Sequence, residues 1–254
     1  MAQVIFIGAG PGAADLITVR GAVHLGQADV VLFDALTDPA LRALAPNAKW
    51  VDVGKRGFAD STGQATINAL LVRYAREANV VVRLKGGDAS VFGRLEEELE
   101  ALAAAGIACE VVPGVTAALA AAAATQRPLT RRGTGRSVSL TTAMTREGQL
   151  HATRTADTEV FYMAGKQLAA LSRRLRAAGW PDDTPACVVS RAGWPDQLSS
   201  DHTVAGLGRA AMLHAGRPTV VTVGAGAAPL PTAPAARAVA GSADPSKRPV
   251  RVKP

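Results

Sequence analysis

Short apolar runs separated by turn residues recur along the first half of the chain. The runs are rich in β-branched and aliphatic residues, and each is short enough to form a buried strand. They lie at residues 4–7, 30–33, 50–53, 80–84 and 107–112. Helical spacing of apolar residues predicts helices between them, at about 15–27, 38–46, 62–74, 95–106 and 117–125. Strands that alternate with helices in this way predict a mostly parallel sheet.

The pattern restarts after residue 125. A polar, basic connector at 128–133 is followed by predicted strands at 137–142, 158–163, 186–189, 197–204 and 219–223. Helices are predicted at 167–178 and 205–214, so strands follow one another more often than in the first half. We therefore predict an α/β protein with two domains. Residues 1–116 form a domain with a mostly parallel sheet, 117–228 form a domain with a mixed sheet, and 229–254 form a disordered, Pro-rich, basic tail.

Polar or glycine-bearing loops follow the strands of the first half. They contain Gly10-Pro11, Asp34, Lys55, Gly86-Gly87-Asp88 and Thr116. The carboxyl ends of parallel strands meet at one edge of a sheet, where open α/β sheets bind ligands. Glycines let the backbone approach a ligand closely, and Asp88 offers an acceptor. Taken alone, the Gly86–Asp88 loop fits a tight turn with a solvated aspartate better. The other strand-end loops favour a ligand site.

The first strand and turn also resemble a dinucleotide-binding fingerprint. Gly8-Ala9-Gly10-Pro11-Gly12 follows a strand and precedes a helix, and the next strand ends at Asp34. Ala13 takes the third glycine position, which is tolerated. Pro11 lacks the N–H that a pyrophosphate loop would use. A nicotinamide oxidoreductase or a nucleotide-binding regulatory module therefore remains a second class of function, with Pro11 against it.

Composition and charge narrow the class of protein. The 254 residues are 48% hydrophobic and 19% charged, which is typical of a globular chain. The net charge is +7, and the tail from residue 229 supplies +4 of it. The remaining positive charge is a weak argument that the protein binds nucleic acid, and it suits a polyanionic small substrate equally well. The spacing of Cys109, Cys187 and the histidines suggests neither a disulfide nor a metal site. We expect a soluble, cytoplasmic protein that binds no metal, nucleic acid or membrane.

Several blocks in order along residues 4–224 resemble the tetrapyrrole methylase family. They are Gly8–Gly12 with Leu16, Thr18, Arg20 and Gly21; Val53-Gly54-Lys55-Arg56; the stretch from Arg83 to Arg94; Val111–Thr116; Pro128-Leu129-Thr130; and Phe161-Tyr162-Met163. The resemblance is strongest to members that methylate uroporphyrinogen III. It implies two α/β domains with a ligand cleft between them, not a Rossmann site, and a homodimer. It also implies transfer of methyl groups from S-adenosylmethionine to carbon in siroheme and cobalamin biosynthesis, giving precorrin-2 and S-adenosylhomocysteine.

The resemblance also implies roles for individual residues. Asp34 and Lys55 match the family's proposed proton acceptor and donor. The cofactor positions match Pro11, Gly86, Gly87, Asp88, Val91, Thr116, Ala117, Met163 and Ala192. Arg20 and Arg131, with neighbouring basic residues, are candidates for binding the carboxylates of a polycarboxylate tetrapyrrole.

Each of these residues also has a simpler interpretation. Asp34 fits an exposed aspartate at a helix start, Lys55 a solvated loop lysine, and the arginines ordinary surface charge. Without the family, Met163 would be a core residue.

The chain departs from the family pattern at three points. Ala89-Ser90 replaces a Pro-aromatic pair, Arg131 replaces a histidine, and Ser190-Arg191 replaces an acidic-polar pair. These departures bear on the choice of tetrapyrrole more than on the cofactor. A methyltransferase of the same family that acts on a later corrin precursor is therefore the alternative within this class.

Overall fold

The structure, a computed structural model, describes residues 3–54, 63–143 and 150–230. The first half forms a five-stranded sheet in which the paired strands run parallel, in the order β3-β2-β4-β1-β5. Its strands are β1 (Gln3–Gly8), β2 (Val30–Phe33), β3 (Lys49–Asp52), β4 (Val80–Lys85) and β5 (Cys109–Val112). Its helices are α1 (Val19–Leu25), α2 (Gln64–Glu77) and α3 (Leu95–Ala104).

Both faces of this sheet are buried, which explains why its strands are continuous apolar runs. Along β1, Val4 and Phe6 pack into one core with α2 and α3. Ile5 and Ile7 point to the opposite face and pack into a second core with Leu25 of α1. The predicted parallel sheet is therefore confirmed.

The second half forms another five-stranded sheet, in the order β6-β7-β10-β8-β9. Its strands are β6 (Val138–Thr142), β7 (Thr158–Tyr162), β8 (Pro185–Ser190), β9 (Leu198–Thr203) and β10 (Thr219–Gly224). β6 and β7 are parallel and the other pairs are antiparallel, so the predicted mixed sheet is confirmed.

One helix covers each face of the second sheet. α4 (Ala117–Ala124) packs on one face with Val160 and Val189, and α5 (Leu168–Ala177) packs on the other with Phe161 and Val188. α4 follows residue 116 directly, so its packing agrees with the predicted domain boundary, which itself stays a prediction.

Three predicted helices are shorter than expected. The segment 15–27 divides into a 3₁₀ turn (Ala14–Leu16) and α1, which begins where the Thr18 hydroxyl accepts from the N–H of Gly21. The segment from 38 forms only a 3₁₀ helix (Pro39–Leu44). The segment 205–214 contains only a 3₁₀ turn (Leu207–Ala210), because Gly206 and Gly208 weaken helix formation there.

The described residues contain no helix long and apolar enough to cross a membrane. They also contain no group of three or more His, Cys, Asp or Glu side chains that could hold a metal ion. The predicted disordered tail lies, apart from its first two residues, outside the described residues.

Candidate active site

A pocket of about 270 Å³ opens between the C-terminal edge of the first sheet and the second sheet. Loops after β1, β2, β4 and β5 form one wall, and residues at the ends of β7, β8 and β10 form the other. The first wall contains Gly10, Pro11, Leu36, Gly86, Gly87, Asp88, Val91, Phe92, Thr116 and Ala117. The second contains Tyr162, Met163, Val189, Arg191, Ala192, Trp194, Pro218, Thr219 and Val220.

The floor of this pocket is main chain packed against main chain. Gly10 and Gly87 exchange two backbone hydrogen bonds, of 3.2 and 2.7 Å. A Cβ atom on Gly8 would lie 2.6 Å from Cα of Gly114, and one on Gly114 would lie 2.4 Å from the carbonyl oxygen of Gly87. Gly87 itself has a φ of +71°, which side chains disfavour. The loops after β1, β4 and β5 therefore meet at a distance that only glycine allows.

Asp88 ties two of these loops together. Its Oδ1 accepts from the N–H of Ser90 at 2.8 Å, and its Oδ2 accepts from the N–H of Gly114 at 2.8 Å. An ionised carboxylate has further lone pairs on both oxygens. Asp88 can therefore brace the floor and still accept a hydrogen bond from a ligand.

Tyr162 connects the second sheet to the start of α4. Its hydroxyl hydrogen-bonds the Thr116 hydroxyl at 2.7 Å and accepts from the N–H of Ala118 at 3.3 Å. The Phe92 ring packs on the Tyr162 ring with the centroids 5.0 Å apart. Burial raises the pKa of the Tyr162 hydroxyl above its ordinary value. The hydroxyl therefore stays protonated near neutral pH and can act as a hydrogen-bond donor.

Two side chains of the second wall sit on left-handed backbone. Met163 has a φ of 58° and Arg191 a φ of 52°, and both follow the last residue of a strand. Such conformations are uncommon for residues other than glycine. Met163 is 55% exposed and lines the pocket, so the interpretation of Met163 as a core residue was wrong.

Asp34 belongs to a buried charge network beside the pocket. Arg83 Nη2 donates to Asp34 Oδ1 at 2.7 Å and to Glu98 Oε1 at 3.1 Å, and Lys85 Nζ donates to Glu98 Oε1 at 3.0 Å. Arg83, Lys85 and Glu98 are almost completely buried, whereas the Asp34 side chain is 31% exposed. Asp34 is therefore not the freely solvated aspartate of the simpler interpretation.

Burial and charge act in opposite directions within this network. Burial disfavours the guanidinium charge of Arg83, but the carboxylates of Asp34 and Glu98 outweigh burial and raise its pKa. Burial and the neighbouring Arg83 lower the pKa of Lys85, against the attraction of the same two carboxylates. Arg83 therefore remains a permanent cation that holds the Asp34 carboxylate in one orientation.

The other predicted substrate residues lie elsewhere. Arg20 is exposed on α1. Arg131 donates to the carbonyl oxygen of Ala228 and lines a separate surface cavity with Trp180. Lys55 lies outside the described residues, immediately after Gly54. Neither arginine lines the pocket, and the roles assigned to these three residues stay predictions.

All nine predicted cofactor positions line the pocket. The lining also contains residues that were not predicted as site residues. These are Gly10, Leu36, Phe92, Tyr162, Val189, Arg191, Trp194, Pro218, Thr219 and Val220. Phe92 and Tyr162 lie within sequence blocks that resemble the family, so a signal for them was present in the sequence. Pro218 and Thr219 lie at the start of an antiparallel strand, where the rule about strand ends gives no signal.

The first turn does not form a dinucleotide site. The N–H of Gly10 is already donated to Gly87, and Pro11 has none. The glycine turn leads into a short 3₁₀ turn, and α1 begins only at Val19, whereas in pyrophosphate sites an α-helix begins directly at the turn. The prediction that this is not a Rossmann site therefore agrees with the geometry.

The family model for tetrapyrrole (corrin/porphyrin) methylases matches residues 3–208 of this chain. The chain belongs to the tetrapyrrole methylase family. A uroporphyrinogen-III C-methyltransferase from Pseudomonas aeruginosa is 44% identical over 194 residues, which are 75% of this tetrapyrrole methylase and 79% of that protein. A siroheme synthase from Neisseria meningitidis is 43% identical over 228 residues, 87% of this chain but 47% of that protein. This methylase thus spans about half the length of the siroheme synthases it matches.

Solved structures of the family have the same fold as this methylase. The uroporphyrin-III C-methyl transferase from Thermus thermophilus, in complex with S-adenosyl homocysteine, is 33% identical with a TM-score of 0.77. The match covers 88% of this methylase and 97% of that chain. A cobalt precorrin-4 methyltransferase is 31% identical with a TM-score of 0.78, over 89% and 96% of the two chains.

Proposed function

We propose that this chain transfers methyl groups from S-adenosylmethionine to carbon atoms of uroporphyrinogen III, giving precorrin-2 and S-adenosylhomocysteine in siroheme and cobalamin biosynthesis. The observation that carries the proposal is that all nine residues expected to contact the cofactor surround one pocket. The names of the Pseudomonas relative and of the Thermus complex support the same substrate and cofactor. We also propose that the protein is a cytoplasmic homodimer, as the family resemblance implies.

The chemistry of the pocket fits S-adenosylmethionine. A sulfonium cation is stabilised by a carboxylate, and Asp88 is the acidic residue among the described residues of the lining. The basic lining residue, Arg191, pairs with Asp196, with Nε and Oδ1 2.7 Å apart, and Arg217 pairs with the same carboxylate. Apolar surface from Val91, Ala117 and Val220 suits the uncharged parts of an adenosyl group.

The cofactor supplies an activated methyl group when it is bound. As the new carbon–carbon bond forms, the bond between sulfur and the methyl carbon breaks and its electron pair stays on sulfur. The methylated tetrapyrrole then loses a proton. The protein contributes mainly by holding both reactants in a water-poor cleft. A positioned base that accepts the proton adds to the rate.

Asp34 is the base in this proposal. Its carboxylate is partly exposed, and Leu36, two residues further on, lines the pocket. Of its two carboxylate oxygens, only Oδ1 accepts a hydrogen bond from the described residues, and the donor is Arg83. Oδ2 is therefore the oxygen that would take the proton. Lys55 would stabilise developing negative charge or a substrate carboxylate. Arg20 and Arg131, which lie away from the pocket lining, would bind other carboxylates of the substrate.

Product analysis tests the proposed function. The purified chain is incubated with uroporphyrinogen III and S-adenosylmethionine, and the products are analysed by mass spectrometry. We expect methylated tetrapyrrole and an equivalent amount of S-adenosylhomocysteine. A parallel reaction without S-adenosylmethionine is the control. Unmethylated uroporphyrinogen III in the complete reaction would refute the proposed substrate.

A later corrin precursor is the second candidate substrate. It is supported by the TM-score of 0.78 to a cobalt precorrin-4 methyltransferase and by the departures at Ala89-Ser90 and Arg131. Ala89 lies within the loop after β4 and is buried, so its small size bears on the packing of the loop that lines the pocket. Methylation of a precorrin but not of uroporphyrinogen III in the same assay would favour this candidate.

A further inference from the structure

Trp194 joins the two walls of the pocket. It belongs to the loop after β8, but its indole Nε1 donates to the carbonyl oxygen of Pro11 at 3.2 Å, across 183 residues of sequence. Gly12 makes room for the ring. A Cβ atom on Gly12 would lie 2.3 Å from Cδ1 and 2.4 Å from Nε1 of Trp194. The indole therefore packs directly on main chain of the opposite wall.

The indole is held firmly from its own side. The Arg191 guanidinium lies over the Trp194 ring, 4.2 Å from its centroid, and Arg191 Nε donates to Asp196 Oδ1 at 2.7 Å. The N–H of Trp194 donates to the carbonyl oxygen of Arg191 at 3.0 Å. Gln197 Oε1 accepts from the N–H of Gly193 at 3.0 Å. The hydrogen bonds within the loop and the cation–π contact with Arg191 thus fix the orientation of the ring. The ion pair between Arg191 and Asp196 holds the guanidinium in place.

The position of the Pro11 main chain depends on the hydrogen bond from Trp194 more than the main chain of another residue would. Proline has no N–H, so its carbonyl is its only main-chain hydrogen-bonding group. That carbonyl accepts from Trp194, while Pro11, Ala192 and Trp194 together line one end of the pocket. Moving the indole would therefore change the distance between the two walls at that end.

We infer that Trp194 is a positioning residue that sets the separation of the pocket walls and, through it, the affinity for the cofactor. The inference rests on the proposed cofactor site. It assigns no contact with the reacting atoms to Trp194. Its expected kinetic effect is therefore on binding, with a raised KM for S-adenosylmethionine and a kcat close to that of the wild type.

Trp194→Phe tests the inference, and Trp180→Phe is its matched control. Trp180 also donates its indole N–H to a carbonyl, that of Thr153, at 2.7 Å, and it also carries an arginine, Arg154, over its ring. It lies outside the pocket lining. Both variants lose one partly buried indole hydrogen bond. We expect calorimetry to give about a tenfold weaker affinity for S-adenosylhomocysteine in Trp194→Phe and an unchanged affinity in Trp180→Phe.

Gly12→Ala disturbs the same contact through a substitution on the other wall. The added methyl group must displace the indole, so this variant should also bind S-adenosylhomocysteine more weakly. Because both substitutions act on one contact, their losses should not add in the double variant Gly12→Ala/Trp194→Phe.

Three results would overturn the inference, and they can be distinguished. Wild-type affinity in Trp194→Phe, or an equal loss in Trp180→Phe, would leave the cofactor site standing and remove the role of Trp194. No binding of S-adenosylhomocysteine by the wild-type chain would overturn the cofactor site and the inference with it.

Discussion

Asp34 is the side chain on which the proposed proton transfer depends. Asp34→Asn removes the basicity but keeps an Oδ1 that can accept from Arg83 at the present 2.7 Å. If proton transfer limits turnover, the methyl-transfer rate should fall by roughly 10²–10⁴-fold, the usual contribution of a general base. The affinity for S-adenosylhomocysteine should not change, because Asp34 is outside the pocket lining. Rate and affinity are measured on one preparation.

Two outcomes of that experiment would contradict the assignment. Full activity in Asp34→Asn would remove the proposed base. A large loss of S-adenosylhomocysteine affinity would move Asp34 into the cofactor site. A fall smaller than tenfold would mean that Asp34 orients the substrate and that the methyl transfer itself limits turnover.

Gly87 is expected to matter for ligand binding as well as for backbone conformation. Its φ is +71°, and an added Cβ would have its nearest neighbour, Thr116 Cα, 3.9 Å away. Gly87→Ala therefore introduces backbone strain of about 1–2 kcal/mol without a clash. Gly106→Ala is the matched control, with a φ of +68°, nothing within 4 Å and a position remote from the pocket. Urea unfolding should show a similar loss of stability in both variants.

Only Gly87→Ala should also weaken S-adenosylhomocysteine binding, because only that methyl group lies at the pocket floor. Equal affinities in the two glycine variants, measured by calorimetry, would remove this loop from the ligand site.

Residue roles could be predicted where they follow from local sequence. Gly86, Gly87 and Asp88 stand together after a strand, and the pocket contains all three. The partner of Asp34 could not be predicted, since Arg83 is 49 residues away and the contact depends on the pairing of β2 with β4. The only hint in the sequence was the presence of Arg83 and Lys85 in the otherwise apolar strand β4, which indicates buried charges that need partners. Trp194 gave no signal, because its role depends on how the two halves meet.

At the scale of elements, β8 and β9 are joined to the turn after the Leu207–Ala210 3₁₀ helix by a buried histidine. His214 Nδ1 lies 2.8 Å from Ser190 Oγ, and its Nε2 lies 2.8 Å from Ser200 Oγ. Ser200 also hydrogen-bonds His202 Nε2 at 2.7 Å, and Arg217 Nε donates to Ser190 Oγ at 3.0 Å. Ser190, a departure from the family pattern, is therefore a neutral partner for a buried imidazole.

This arrangement predicts a loss of stability in acid. Burial lowers the pKa of His214, and His202 and Arg217 lower it further. Burial also lowers the pKa of His202, against the attraction of Asp201. The unfolded chain keeps an ordinary histidine pKa of about 6.5, so it binds more protons than the folded chain below that pH. The contribution to stability is thus complete above about pH 6.5 and is lost as the pH falls.

Urea unfolding at pH 7.5 and pH 5.5 measures this effect. We expect the free energy of unfolding to be lower at pH 5.5, and His214→Gln to reduce the difference between the two pH values. His151 is exposed, so His151→Gln should leave the difference as it is in the wild type. An unchanged pH dependence in His214→Gln would show that His214 does not titrate on unfolding.

Element types followed from the sequence more reliably than element lengths. The alternation of apolar runs and helical spacing predicted the parallel sheet, because buried parallel strands need continuous apolar residues. The prediction of a helix at 205–214 was wrong. The apolar residues there have helical spacing, but Gly206 and Gly208 disfavour a helix. In the structure, Leu207 and Ala210 pack into the α5 core without a regular helix.

At the scale of the whole molecule, Gly226 and Ala227 are buried near the C-terminal end of the described residues. The N–H of Gly226 donates to Thr158 Oγ1 at 2.8 Å, and Ala227 is buried. The sequence of residues 231–254 contains no aliphatic residue larger than valine, so a truncation after Leu230 should leave the melting temperature and methyl transfer unchanged. A truncation after Gly224 removes Gly226 and Ala227 and should lower the melting temperature. A melting temperature lowered by several degrees in the truncation after Leu230 would mean that the tail packs on the folded chain.

The glycine floor also decides where this enzyme can be re-engineered. A side chain at Gly8 or Gly114 would clash with neighbouring main chain, and one at Gly87 would need a backbone conformation that side chains disfavour, so this side of the cavity tolerates little change. The opposite side is made of side chains such as Met163, Arg191 and Thr219, which can be exchanged without moving the backbone of the floor. Directed evolution toward a bulkier sulfonium donor should therefore accumulate its substitutions on the second sheet and leave the glycine loops untouched.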